Sequence, residues 1–310
     1  MMRHSKTFSR RCFLQAGAAT LGAALVPAYA ASSATDISSV DLGGLTLFKG
    51  AGCNVLAMAG EDGALLIDGG LAVNSSALLA ALQQITGNSR IHTLINTHWH
   101  PEQTGLNAAA GQDGAKIIAH TKTLMYLSNT MGSETFAGRL APLAEKARPS
   151  VTTHSNGSLN FAGQTINYDY LPMAHTDGDL FVHFPELNLI AGGGAVSAVQ
   201  WPIIEYRNGG WLGGLVRAHE KLAELVNPDT RIVPAQGPML TGADIVRHRD
   251  MYQELYLNMI AGLNSGLGPE DVVENNPAEQ YMDELGDPSK FLHGAYRSMQ
   301  MAYVPDSISL

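Results

Sequence analysis

Cysteine is scarce in this sequence, with only Cys12 and Cys53 among 310 residues. Cys12 falls in a segment expected to be cleaved, so Cys53 is left alone and no internal disulfide can form. A hydrophobic core must therefore carry the stability, and the 45% hydrophobic content suffices for one. That content also excludes intrinsic disorder. Cys53 lies in an apolar stretch and reads as a small buried residue rather than a nucleophile. Basic residues are few as well, 19 Lys and Arg against 28 Asp and Glu. Such a surface repels polyanions, which excludes nucleic acid as the partner and leaves a small-molecule substrate or ligand. No apolar run reaches the roughly 18 residues of a membrane span, so no stable membrane anchor is expected. No internal repeat or linker interrupts residues 40–305.

The first thirty residues read as an export signal. Arg10-Arg11 precede a weakly hydrophobic small-residue stretch, and Ala28-Tyr29-Ala30 fits a small-x-small cleavage site. This arrangement resembles a twin-arginine signal, so the mature chain is expected to begin near Ala31 in a bacterial periplasm. Arg3, Lys6, Arg10 and Arg11 leave with it and no acid does, which takes the formal charge from −9 to −13. Residues 31–40, opening on Ala31-Ser32-Ser33-Ala34, are expected to be a flexible leader, and residues 41–305 the folded domain.

Within that domain short apolar runs alternate with turn residues. Strands are expected at 45–48, 54–58, 64–67, 92–96, 116–119 and 231–233, with hairpins at 158–171 and 180–191. Helices are expected at 75–85, 121–140 with a break near Gly132, and 212–226. From Gly242 onward the pattern is helical, broken at Gly266-Leu267-Gly268 and Asp287-Pro288. Mixed strands and helices in this order predict an α/β fold with two packed sheets and helices outside. The charged stretch Arg247-His248-Arg249-Asp250 with Glu254 reads as a solvated helix face, with a homodimer contact or a lid as alternatives.

Chemistry concentrates in Thr97-His98-Trp99-His100-Pro101-Glu102-Gln103, immediately after a strand. Residues two apart on an extended or turning backbone point the same way, so His98 and His100 can aim at one point. Neutral imidazole suits a zinc-class ion. Four further segments fall at strand ends: Leu66-Ile67-Asp68-Gly69-Gly70, Ala174-His175-Thr176-Asp177-Gly178-Asp179, Ala191-Gly192-Gly193 and Pro234-Ala235-Gln236-Gly237-Pro238. Loops gather there at one edge of stacked sheets. Trp99, Trp201, Tyr206 and Trp211 either wall a pocket or pack the fold. The remaining histidines, His92, His120, His154, His183, His219, His248 and His293, read as structural or surface residues.

These five segments, in this order, resemble the metallo-β-lactamase superfamily from about residue 40 to 305. The resemblance implies a four-layer αββα sandwich with a metal site at the edge between the sheets. It places His98, His100 and His175 as the ligands of a first metal. It also places Asp68 as a support of the metal loop, although an Asp before Gly-Gly is an ordinary turn former; Asp179 either steadies the His175 loop or is a simple solvated turn acid. The family's second metal takes an Asp and a His in the first motif, a bridging Asp after the Ala-Gly pair and a His before Gly-Pro. Here those positions hold Glu102, Gln103, Gly193 and Gln236.

Two divalent ions about 3.5 to 4 Å apart need anionic ligands to offset their repulsion, and only Glu102 supplies charge. A mononuclear zinc site is therefore expected, one ion per chain, with Glu102 as general base toward its water or as a fourth ligand. The function expected is hydrolysis of an ester, lactone, amide or β-lactam-type bond. The alternative is a catalytically silent descendant that binds a small molecule or partner.

Overall fold

The computed structural model describes residues 36–133 and 138–303. The export signal and residues 31–35 of the expected leader lie outside the described residues. Seven strands form the first sheet in sequence order: β1 (Ser38–Asp41), β2 (Thr46–Lys49), β3 (Val55–Met58), β4 (Ala64–Ile67), β5 (Ile91–Ile95), β6 (Lys116–His120) and β7 (Val151–Thr153). Pairing is antiparallel from β1 to β4 and parallel from β4 to β7. Helices α1 (Ser75–Thr86), α2 (Pro101–Thr104), α3 (Asn107–Gln112) and α4 (Thr121–Leu127) occupy the connections.

The second sheet contains β8 (Gly157–Phe161), β9 (Gln164–Tyr170), β10 (Leu180–Phe184), β11 (Leu189–Gly193), β12 (Arg231–Pro234) and β13 (Leu240–Thr241), ordered β13-β12-β11-β10-β9-β8. Its helices are α5 (Leu212–Ala223), α6 (Gly242–Asn264), α7 (Pro269–Asn275), α8 (Met282–Leu285) and α9 (Ser289–Tyr303).

Period-two alternation separates three core layers. In β3, Val55 and Ala57 face one way, and Leu56 and Met58 the other; β4 repeats this with Ala64 and Leu66 against Leu65 and Ile67. Leu56, Leu65 and Ile67 meet Val182, Phe184, Leu189 and Val233 of the second sheet in the central layer. The outer face of the first sheet packs under Leu78 and Leu82 of α1. The outer face of the second, through Phe181, Ile190 and Ile232, packs under α5, α6 and α9. The result is the expected αββα sandwich.

Three expectations are corrected. Residues 38–40, expected within the leader, instead begin β1, where Ser38 and Ser39 pair with Lys49 and Phe48. The helix expected over 121–140 ends at Leu127. There the Ser128 hydroxyl donates to the Leu124 carbonyl (2.7 Å) and the Asn129 amide to the Met125 carbonyl (2.8 Å). These side chains satisfy the last carbonyls and compete with further turns, and Met131 pairs with Leu140 instead. Finally, the solvated face of α6 is only one side of that helix. His248 is fully buried beside Met251 and Tyr252, while Arg247, Asp250 and Glu254 are exposed. Among the described residues no helix is long and apolar enough to cross a membrane.

Candidate metal centre

The site is assembled at one edge, from chain leaving the ends of strands in both sheets. His98 and His100 follow β5, His175 lies between β9 and β10, and the segment from Gly194 to Trp211 connects β11 to α5. The three imidazoles are buried, and one ligand nitrogen from each lies within 4.8 Å of the others.

The outward-facing ring nitrogens fix which nitrogens face inward. Asp68, at φ 63° and buried, accepts from the Thr97 amide (2.8 Å) and from its hydroxyl (2.8 Å). With its one proton committed to Asp68, Thr97 Oγ1 accepts from His98 Nδ1–H at 3.0 Å, leaving the Nε2 lone pair free. His175 Nδ1–H donates to the Ile203 carbonyl at 2.5 Å, again freeing Nε2. His100 turns the other way: its Nε2 stands 3.0 Å from Glu205 Oε1, and its Nδ1 faces the other histidines.

His175 Nε2 and His100 Nδ1 face each other at 3.4 Å. Tetrahedral ligands about 2.1 Å from zinc stand roughly 3.4 Å apart, so the donor set fits that ion. Burial pushes all three imidazoles down, with the neighbouring rings adding to it for His98 and His175, and His100 falls to about 4. The rings are thus neutral donors, the form a metal requires.

The support extends further. Asp179 is buried, accepts the Thr176 amide (2.7 Å) and hydroxyl (2.8 Å), and so braces the loop that carries His175. Burial lifts Asp179 to about 6 and Asp68 to about 7. Gly194 adjoins the cluster so closely that a Cβ there would lie 2.4 Å from His175 Cδ2 and 3.0 Å from His98 Cε1. Only glycine leaves that side of the histidines open.

A cleft of about 220 Å³ opens onto the histidines, lined among others by Glu102, Gln103, Val196, Ser197, Trp201 and Gln236. Glu102 is half-buried on its wall. Gln103 is buried, and its Oε1 has no hydrogen-bond partner among the described residues. Gln236 is exposed, with its amide directed to the Gly52 carbonyl at 3.3 Å. Gly193 has φ 59°, and a Cβ there would meet Thr97 Cβ at 2.8 Å. Cys53 is buried, and burial followed by the Asp68 charge pushes its thiol well up, as befits an inert residue.

Of the four aromatics, Trp201 lines the cleft. Trp99 is buried against Tyr126 and Leu127, and Trp211 packs beside Arg217 and Tyr256. Tyr206 lies under Arg207, outside the cleft.

The fold and this centre define a metal-binding αββα protein. The sequence profile of the Metallo-beta-lactamase superfamily matches residues 49–237, and the chain belongs to that superfamily. Among curated proteins there is no match. Solved structures share the fold at low identity. A metallo-beta-lactamase from Pontibacter korlensis is 20% identical with TM-score 0.53, over 70% of this chain and 93% of its own. The BLEG-1 B3 metallo-beta-lactamase is 19% identical with TM-score 0.55, over 70% and 99%. The inverting sec-alkylsulfatase Pisa1 from Pseudomonas sp. is 14% identical with TM-score 0.63, over 87% of this chain and 50% of that one.

Proposed function

We propose that the protein is an exported hydrolase that holds one zinc ion through His98 Nε2, His100 Nδ1 and His175 Nε2. Its reaction is water attack on an ester, lactone, amide or β-lactam-type bond. The observation that carries this reading is the convergence of three buried imidazoles, one ligand nitrogen of each within 4.8 Å of the others, with the opposite nitrogens of His98 and His175 each bonded to an acceptor. An all-imidazole set suits zinc, which when bound polarises a carbonyl and lowers the pKa of water toward 7. Glu102 on the cleft wall receives the proton of the attacking water. Asp68 and Asp179 hold the histidine loops in place.

A single ion is favoured because the second-metal positions supply so little charge. Gln103 is neutral, Gln236 turns to a backbone carbonyl, and Gly193 has no side chain. Export to the periplasm rests on Arg10-Arg11 and the cleavage site after them.

The test combines metal analysis of the purified mature chain with turnover of a generic ester, a lactone, a β-lactam and a secondary alkyl sulfate, the last prompted by the name of the Pseudomonas relative. We expect about one zinc per chain, activity abolished by a chelator and restored by zinc, and background rates in His100→Ala. Equal rates in wild type and His100→Ala, or no zinc bound by the wild type, would refute the reading in favour of a ligand-binding protein without turnover.

A further inference from the structure

The anion closest to the three histidines on their outer side is one that no motif singles out. Glu205 is completely buried, and its Oε1 stands 3.0 Å from His100 Nε2, on the opposite side of the ring from the nitrogen that faces the other histidines. It is outside the group whose ligand atoms converge, which consists of His98, His100 and His175. The Glu205 carboxylate therefore reaches the centre through His100.

The carboxylate is itself held from several directions. Ser133 Oγ donates to Oε1, and Asn208 Nδ2 donates to Oε2 at 2.9 Å. Asn208 is tied in turn to the Gly132 carbonyl at 3.0 Å. The Glu205 backbone is clamped too, its amide donating to the His175 carbonyl (3.0 Å) and its carbonyl accepting from Asn208 and Gly210 (2.9 Å each). Two residues earlier, Ile203 accepts from the His175 ring. One short segment thus fixes the orientation of two ligands contributed by two different connections.

Charge gives this arrangement its purpose. An ion of charge +2 held by three neutral imidazoles carries charge that the ligands themselves do not offset, which is costly where the site is buried. Gly193, Gln103 and Gln236 contribute none of the compensation that ligating carboxylates would. Glu205 places a carboxylate 3.0 Å from His100 Nε2, where it supports His100 as a ligand without occupying a coordination position.

We propose that Glu205 is the positioning residue of a one-metal centre, fixing the His100 tautomer and supplying the charge that lets three neutral ligands retain a divalent ion. This rests on the reading of His98, His100 and His175 as metal ligands, and the experiment separates the two. Metal dissociation constants are measured by chelator competition for wild type, Glu205→Gln and Glu205→Asp, with the visible spectrum of each cobalt-substituted protein. Wild type that binds no metal overturns the metal reading itself.

Given wild-type binding, we expect Glu205→Gln to weaken affinity about 10- to 100-fold and alter the cobalt spectrum, while the metal-free protein keeps its circular dichroism. Glu205→Asp should recover part of that loss. Identical affinity and spectrum in Glu205→Gln overturn the proposal. Because a buried variant can fail to fold, a second measurement uses wild type alone. In the zinc-loaded protein, nitrogen-15 resonances of His100 should show Nε2 protonated and Nδ1 bound to metal. The opposite assignment overturns the proposal as well.

Discussion

At the scale of single residues, the positions where the superfamily resemblance puts second-metal ligands depart from its pattern. Gly193 stands where the superfamily resemblance puts a bridging carboxylate, yet the space for a side chain there is taken by Thr97. Thr97 is not free to yield, because its hydroxyl links Asp68 to His98. A Gly193→Asp substitution should therefore fail to recruit a second ion. It should instead weaken the first, since a Cβ at φ 59° and 2.8 Å from Thr97 Cβ pushes on the residue that sets the His98 tautomer. Metal titration checks this: we expect stoichiometry at or below one per chain with reduced affinity, and a rise toward two would show that the pocket accepts the acid.

The same residues explain what was legible beforehand. His98, His100 and His175 are readable because each sits in a short motif at a strand end, where direction follows from backbone alternation. Glu205 and Gly194 are not. Glu205 follows the apolar run Trp201-Pro202-Ile203-Ile204 without any motif, and an acid inside such a run was the only signal available. Its partner His100 lies far away in sequence, so the pair exists only once both connections reach the same edge.

At the scale of elements, strands were easier to anticipate than helix ends. Strands β3, β4, β10 and β11 are buried on both faces and read as continuous apolar runs, whereas β13, two residues long, has no pattern to detect. Helices α5 and α6 hide a feature that composition alone did not suggest. His219 and His248 are both fully buried between them, with ring centroids 6.1 Å apart and Tyr252 4.7 Å from His219. His219 Nδ1–H donates to the Leu215 carbonyl at 3.0 Å, while its Nε2 has no hydrogen-bond partner among the described residues.

Burial lowers His219 to about 3, with the His248 ring adding to the effect. The charged groups around the pair are Glu284, 3.6 Å from His248 Nε2, and Arg247 and Asp244 on α6. The unfolded chain takes up a proton at His219 near pH 6.5, and the folded chain does not until about pH 3. Stability is thus complete above pH 6.5 and falls as pH drops below it, by about 1.4 kcal/mol per pH unit for one such group. In urea unfolding between pH 4.5 and 7.5, His219→Leu should lower the slope of stability against pH by close to one proton relative to wild type. An unchanged slope in the variant would mean His219 is already protonated in the fold.

At the scale of the whole molecule, the centre joins what the central core already brings together. His98 and His100 extend from β5 in the first sheet; His175, Ile203 and Glu205 lie on connections of the second. An ion shared by these ligands binds the folded chain and not the unfolded one, so it adds stability by mass action, about 4 kcal/mol when free metal exceeds the dissociation constant 1,000-fold. For a domain of this size that corresponds to roughly 8 to 16 °C in melting temperature.

Chelation should lower the melting temperature by that order. It should also increase amide exchange together in the loops around His98, His175 and Glu205, while the central layer of Leu56, Leu65, Val182 and Phe184 stays protected. The joint response is the informative part. A metal held by one sheet alone would loosen one loop on removal, whereas ligands drawn from both sheets and clamped by one segment must loosen together. Exchange confined to the 97–100 loop after chelation would show that His175 does not share the ion.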